Sequence, residues 1–136
     1  MTVRRARSAL ARGFTLIELL VVMSLVVVLS AIAMVGYQNS VTRAREATLK
    51  ADLYHMRDAI DQYYADKQKW PATLQDLVTD GYVRRIPEDP MTSSADTWQE
   101  IPAEADPANP SAETGIYDVK SGSDKISLDG TPYAEW

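Results

Sequence analysis

The stretch from Phe14 to Tyr37, FTLIELLVVMSLVVVLSAIAMVGY, is apolar throughout except for one charge, Glu18. As a helix rising 1.5 Å per residue it crosses a hydrocarbon core of about 30 Å with little tilt. It withdraws its residues from any soluble core, so of the 136 residues roughly a hundred remain for a folded head, enough for one compact pair of layers. Glu18 is the anomaly in this run. A lone acid costs roughly 2.5–3.5 kcal/mol at the centre of a spanning helix and less toward the interface, and it therefore calls for a partner.

The thirteen residues before the run, Met1 to Gly13, carry Arg4, Arg5, Arg7 and Arg12 and have no apolar periodicity. Positive charge on this flank keeps it cytoplasmic and directs the rest of the chain outward. Two plainer readings compete. Ala31-Ile32-Ala33 has the small-residue pattern of a signal-peptide cleavage site, but the apolar run exceeds the usual 7–15 residues and contains Glu18. A simple single-pass anchor accounts for the length and leaves Glu18 unpaired.

The junction Arg12-Gly13-Phe14-Thr15-Leu16-Ile17-Glu18-Leu19-Leu20-Val21-Val22 resembles the class III leader junction of type IV pilins and type II secretion pseudopilins. The resemblance implies that a prepilin peptidase cuts between Gly13 and Phe14 and N-methylates Phe14. Cleavage places a new ammonium at Phe14, one helical turn from the Glu18 carboxylate. When identical helices pack with a stagger, Glu18 of one subunit can meet the Phe14 ammonium of the next. Such a pair adds little net stability, but breaking it strands a charge, so it sets register. Glu18 is read as the assembly residue.

Beyond Tyr37 the chain turns polar without a breaker, and Leu49, Leu53, Met56, Ile60 and Tyr63 recur at spacings of four and three. That is the stripe of an amphipathic helix continuing the anchor. Arg43, Arg45, Glu46, Lys50, Asp52, Arg57, Asp58 and Asp61 fall on its other faces and read as a solvated, mixed-sign surface, with Glu46 and Lys50 spaced as a favourable pair. Trp70-Pro71 is expected to end the helix. A short helix over 71–78 follows, closed by Gly81 in the left-handed conformation, and Tyr82 to Pro90 runs extended into a turn. Trp70-Pro71, Leu74, Leu77, Gly81-Tyr82-Val83, Ile86-Pro87 and Asp89-Pro90 resemble the pseudopilin branch in particular, although Met91 stands where that family often has tryptophan.

From Thr92 to Thr114 the chain is polar, acidic and broken by Pro102, Pro107 and Pro110, with Thr97–Ile101 its one strand-like run. Gly115–Val119 and Lys125–Leu128 alternate around Ser121-Gly122-Ser123-Asp124, a hairpin signal. The three runs together predict a small antiparallel sheet covering the helix stripe, with Tyr133 and Trp136 pinning the tail. Asp118, Ser121, Ser123, Asp124 and Asp129 concentrate oxygens in a turn-rich stretch. Major pseudopilins bind calcium in a loop at this location, and the resemblance makes Asp124 and Asp129, with Asp118 and Ser123, candidate ligands. The family's multi-aspartate run is absent, and Ser, Asp and Gly also serve simply as turn formers.

Charge and composition exclude several classes. The net charge is −5, and with four arginines in the leader the remainder is more acidic still, which argues against a nucleic-acid partner. There is no cysteine, hence no disulfide and no thiolate chemistry, and the single histidine, His55, sits in the helical pattern. No phosphate loop or H-E-x-x-H motif is present, and no enzyme is expected. The expectation is an α+β, type IV pilin-like chain, its long N-terminal helix packed on a small C-terminal sheet. Its parts are a cleaved leader (1–13), a membrane and assembly helix (14–37) and a periplasmic head (38–136). The resemblance implies a structural subunit of a type II secretion pseudopilus, a homo-oligomeric filament built from the inner membrane with minor pseudopilins, a prepilin peptidase and an assembly platform as partners. A type IV pilus subunit is the alternative, and an enzyme released by signal-peptide cleavage is the rival from a different class.

Overall fold

A computed structural model describes residues 13–105 and 114–136. The leader up to Arg12 and the middle of the 92–114 loop lie outside the described residues. The chain is α+β and type IV pilin-like, with a long N-terminal helix and a small antiparallel sheet. It divides between Gln38 and Asn39 into two compact units.

Helix α1 runs from Leu16 to Lys67 without interruption. Thr15 starts it: the Glu18 backbone N–H donates to Thr15 Oγ1 at 3.2 Å, and the Leu19 N–H donates to the Thr15 carbonyl at 3.1 Å. These bonds satisfy donors that every helix start leaves free. In the first unit all the side chains of this helix are exposed, and the segment is long and apolar enough to cross a membrane. Its hydroxyls are internally satisfied, Ser24 donating to the Leu20 carbonyl at 2.8 Å and Ser30 to the Val26 carbonyl at 2.7 Å. This local bonding hides their polarity inside the helix.

In the second unit the predicted stripe is the core. Leu49, Leu53, Met56, Ile60 and Tyr63 are buried, joined by Ala59 from the same helix and by Leu74, Leu77, Trp98, Ile116, Val119 and Tyr133. Helix α1 ends at Lys67, three residues before the expected Trp70-Pro71. Gln68 takes the left-handed conformation (φ 55°), its N–H still bonded to the Tyr64 carbonyl. The early stop lets Trp70 fold back and stack on Tyr64, ring centroids 4.1 Å apart. Helix α2, Leu74–Thr79, begins where Asp76 Oδ2 accepts the N–H groups of Ala72 and Thr73, and it closes at Gly81 with φ 81°.

Strands β1 (Gln99–Pro102) and β2 (Ile116–Lys120) pair antiparallel, Gln99 opposite Lys120 and Ile101 opposite Asp118, with a bulge between Ile101 and Pro102. The expected third strand is not formed. Lys125–Leu128 makes only an isolated bridge between Ile126 and Pro132, and both Ile126 and Leu128 are exposed. The segment after β2 is drawn away from the sheet because Ser121 and Gly122 bond to Asp89 instead of turning back as a hairpin. A 3₁₀ turn at Tyr133–Glu135 ends the chain, with Tyr133 and Trp136 edge-to-face at 5.1 Å.

Candidate functional site

At the helix start Phe14 is 85% exposed and Glu18 is exposed four residues further on. Phe14, Thr15, Leu16, Glu18, Leu19 and Val22 line one apolar depression. Among the described residues no cation meets the Glu18 carboxylate. The positive end of the helix dipole favours an acid in this first turn, but it supplies no counter-charge of its own. Among the described residues, then, the geometry leaves Glu18 open to a partner from outside. Gly13 sits in open space, and a side chain there would meet nothing within 4 Å, so the peptide bond to Phe14 is not shielded by neighbouring described residues.

The four oxygen-bearing candidates near the C-terminus are not brought together. Asp118 is committed to Arg57, whose Nε donates to Asp118 Oδ1 at 2.6 Å, and the same oxygen accepts the Val119 N–H. Ser123 is buried, and its hydroxyl oxygen accepts the Lys125 N–H. Asp124 and Asp129 are exposed. Among the described residues no three Asp, Glu, His or Cys side chains gather closely enough to hold a metal ion.

Charged side chains organise the head instead, Glu46 and Arg57 among those that read as surface residues in the sequence and Asp89 from the Asp89-Pro90 turn. Glu46 is buried rather than solvated, so the expected pair with Lys50 is not formed. Its Oε1 accepts the Tyr133 hydroxyl at 2.8 Å and the Leu128 N–H at 2.8 Å. Lys50 lies over the Trp136 ring, 4.4 Å from its centroid, a cation–π contact. Burial, together with the bond to Glu46, pushes the Tyr133 phenol up to about 12.

Arg57 bridges three acceptors at once: Asp118 Oδ1, the Val119 carbonyl and the Trp136 carbonyl, the last two at 2.9 Å. Asp89 is fully buried. Its Oδ2 accepts the Ser121 hydroxyl and the Gly122 N–H, its Oδ1 accepts the Met91 N–H, and its backbone N–H bonds to the Ser94 carbonyl. Asp52 has its carboxyl raised above the ordinary value, first by burial and also by the charge of Asp89, with His55 opposing. His55 itself is exposed and rests edge-on to Tyr54.

Residues 9–34 match the model of the prokaryotic N-terminal methylation motif. The chain is 30% identical over 95 residues to the type II secretion system core protein G of Klebsiella michiganensis, covering 58% of this chain and 67% of that one. To the core protein G of Klebsiella pneumoniae it is 32% identical over 98 residues, covering 60% and 70%. The type IV major pilin PilE1 of Neisseria gonorrhoeae is 41% identical over 66 residues, covering 47% of this chain and 39% of that one. No solved structure gives a significant match. The similarity to the core proteins spans about two thirds of their length and extends well past the motif shared with pilins. The chain belongs to the G-type pseudopilins, within the type IV pilin superfamily, and is a pilin-like structural subunit rather than an enzyme.

Proposed function

We propose that the chain is a structural subunit of a type II secretion pseudopilus. It waits in the inner membrane with its leader cytoplasmic and its head periplasmic. A prepilin peptidase removes residues 1–13 and methylates Phe14, and an assembly platform then draws subunits into a periplasmic filament that promotes export of folded proteins. Minor pseudopilins are the expected partners at its ends. The observation that carries this reading is Glu18: one exposed carboxylate, unpaired among the described residues, in the first turn of an exposed apolar helix.

Cleavage supplies the missing counter-charge as the Phe14 ammonium of a neighbouring subunit. The pair then fixes the stagger of the helices, since leaving either charge unpaired in an apolar filament core costs several kcal/mol. Comparing wild type with Glu18→Ala for filament yield and subunit spacing by electron microscopy tests it. Loss of filaments, or an altered axial rise, is expected. Unchanged filaments would sink the pairing.

The 41% identity to a type IV major pilin keeps a pilus subunit as a second reading. Deleting the gene separates the two: a secretion defect with surface pili intact supports the pseudopilus, and lost pili with normal secretion supports the pilus.

A further inference from the structure

The polarity of the backbone around residues 121–131 is the reverse of what a cation site needs. A calcium ion takes six to eight oxygens, many of them backbone carbonyls turned inward. Here N–H groups turn inward and converge on side-chain oxygens. Gly122 N–H meets Asp89 Oδ2, Ser123 N–H meets Ser121 Oγ, and Lys125 N–H meets Ser123 Oγ. Leu128 N–H meets Glu46 Oε1, while Asp129 and Thr131 N–H both meet Ser127 Oγ. Two of these N–H groups, those of Gly122 and Leu128, meet carboxylates, so the negative charge they face is carried by the protein itself, on Asp89 and Glu46.

The surroundings agree. Asp118 already faces the Arg57 guanidinium, and Asp129 borders a groove that also presents Lys50 and Arg57, so a divalent cation would meet two positive side chains there. The residues present do not fit calcium.

We propose that the C-terminal segment 121–136 is fastened by the protein's own groups, Asp89 and Glu46 as acceptors and Arg57 as a three-way donor, and holds its fold with no bound cation. Glu46 ties the segment to α1 through Leu128 and Tyr133. Arg57 ties β2 and the Trp136 carbonyl to the same helix about three turns further on. Asp89 anchors the exit from β2. The three acceptor and donor sites replace what a metal does in a loop of this kind, which is to neutralise and gather groups distant in sequence. The proposal concerns the head alone and does not depend on what the filament does.

The full chain in detergent, unfolded by heat and followed by tryptophan fluorescence, tests it with millimolar calcium and with a chelator. The two midpoints are expected to agree within about 1 °C, whereas an ion bound at a hundred times its Kd raises the midpoint by about 10 °C or more in a domain of this size. A calcium-dependent rise of several degrees overturns the proposal. A second arm uses Glu46→Gln, which keeps one acceptor oxygen, and Glu46→Leu, which keeps none. Glu46→Leu is expected to lower the midpoint by about 10 °C and to speed hydrogen exchange at the Leu128 amide, with Glu46→Gln intermediate. Calcium is expected to restore neither. Equal midpoints for wild type and both variants, or recovery with calcium, would contradict it.

Discussion

Replacing Asp89 with alanine puts the largest single demand on the head. Three donors depend on its carboxylate: the Ser121 hydroxyl at 2.5 Å, the Met91 N–H at 2.8 Å and the Gly122 N–H at 3.3 Å. Asp89 and Ser121 are both fully buried, so water cannot readily take the place of the carboxylate for Ser121. A buried donor left without an acceptor costs about 1–3 kcal/mol. Met91 and Gly122 are half-buried and fall at the low end of that range. The total is about 3–5 kcal/mol, a large share of the roughly 5–15 kcal/mol that holds a typical domain.

At about 4–8 °C per kcal/mol, the midpoint should drop by about 12 °C or more. The assay is a near-ultraviolet circular dichroism melt of the full chain in detergent, with hydrogen exchange at residues 121–123 as a local readout. Asp89→Asn keeps one carbonyl oxygen and should fall between alanine and wild type. A drop below about 4 °C for Asp89→Ala, equivalent to less than about 1 kcal/mol, would refute the claim that this carboxylate anchors the segment.

Gly122→Ala should destabilise comparably, because a Cβ there would lie 1.8 Å from the Thr97 carbonyl oxygen, a backbone atom that cannot rotate away; an unchanged melt would contradict the close approach. Tyr133, raised from 10 to about 12, favours its protonated form in the fold. Its contribution is therefore complete below pH 10 and is lost as pH climbs through 12. Wild type should lose stability more steeply than Tyr133→Phe across that window, and parallel curves would count against the buried phenol. Asp52, also raised, is a group whose ionised form the fold disfavours. Asp52→Asn should raise the midpoint near neutral pH and give no gain near pH 3, where both states hold the proton; a gain independent of pH would point to some other cause.

Where the physics is periodic and local, the chain was readable from its residues. The Leu49–Tyr63 stripe, the Gly81 stop and the Tyr133–Trp136 contact all appear as the spacing and residue types imply. The head's polar fastening was not legible, because its partners are remote in sequence: Glu46 meets Tyr133 87 residues on, and Arg57 meets Asp118 61 residues on. On a helix, a glutamate four residues before a lysine has the same pattern whether it points to water or inward.

Lys125–Leu128 misled for a related reason. Its alternation fits a strand, yet Asp89 captures Ser121 and Gly122 before the chain can turn back along β2. Of the candidate oxygen ligands, Asp118 lies in strand β2 and faces Arg57, and Ser123 accepts a backbone N–H, commitments that exist only in three dimensions, while Asp124 and Asp129 are exposed. At the other end, Thr15-Leu16-Ile17-Glu18 held a helix-start signal in plain view, a threonine three residues before a glutamate.

The pairing proposed for Glu18 requires that cleavage create an ammonium at Phe14. Intact-mass and N-terminal sequencing of the protein recovered from assembled filaments tests it most directly. The expected result is a chain beginning at Phe14 and heavier by one methyl group. A chain that retains Met1–Gly13, or one that begins after Ala33, would contradict it.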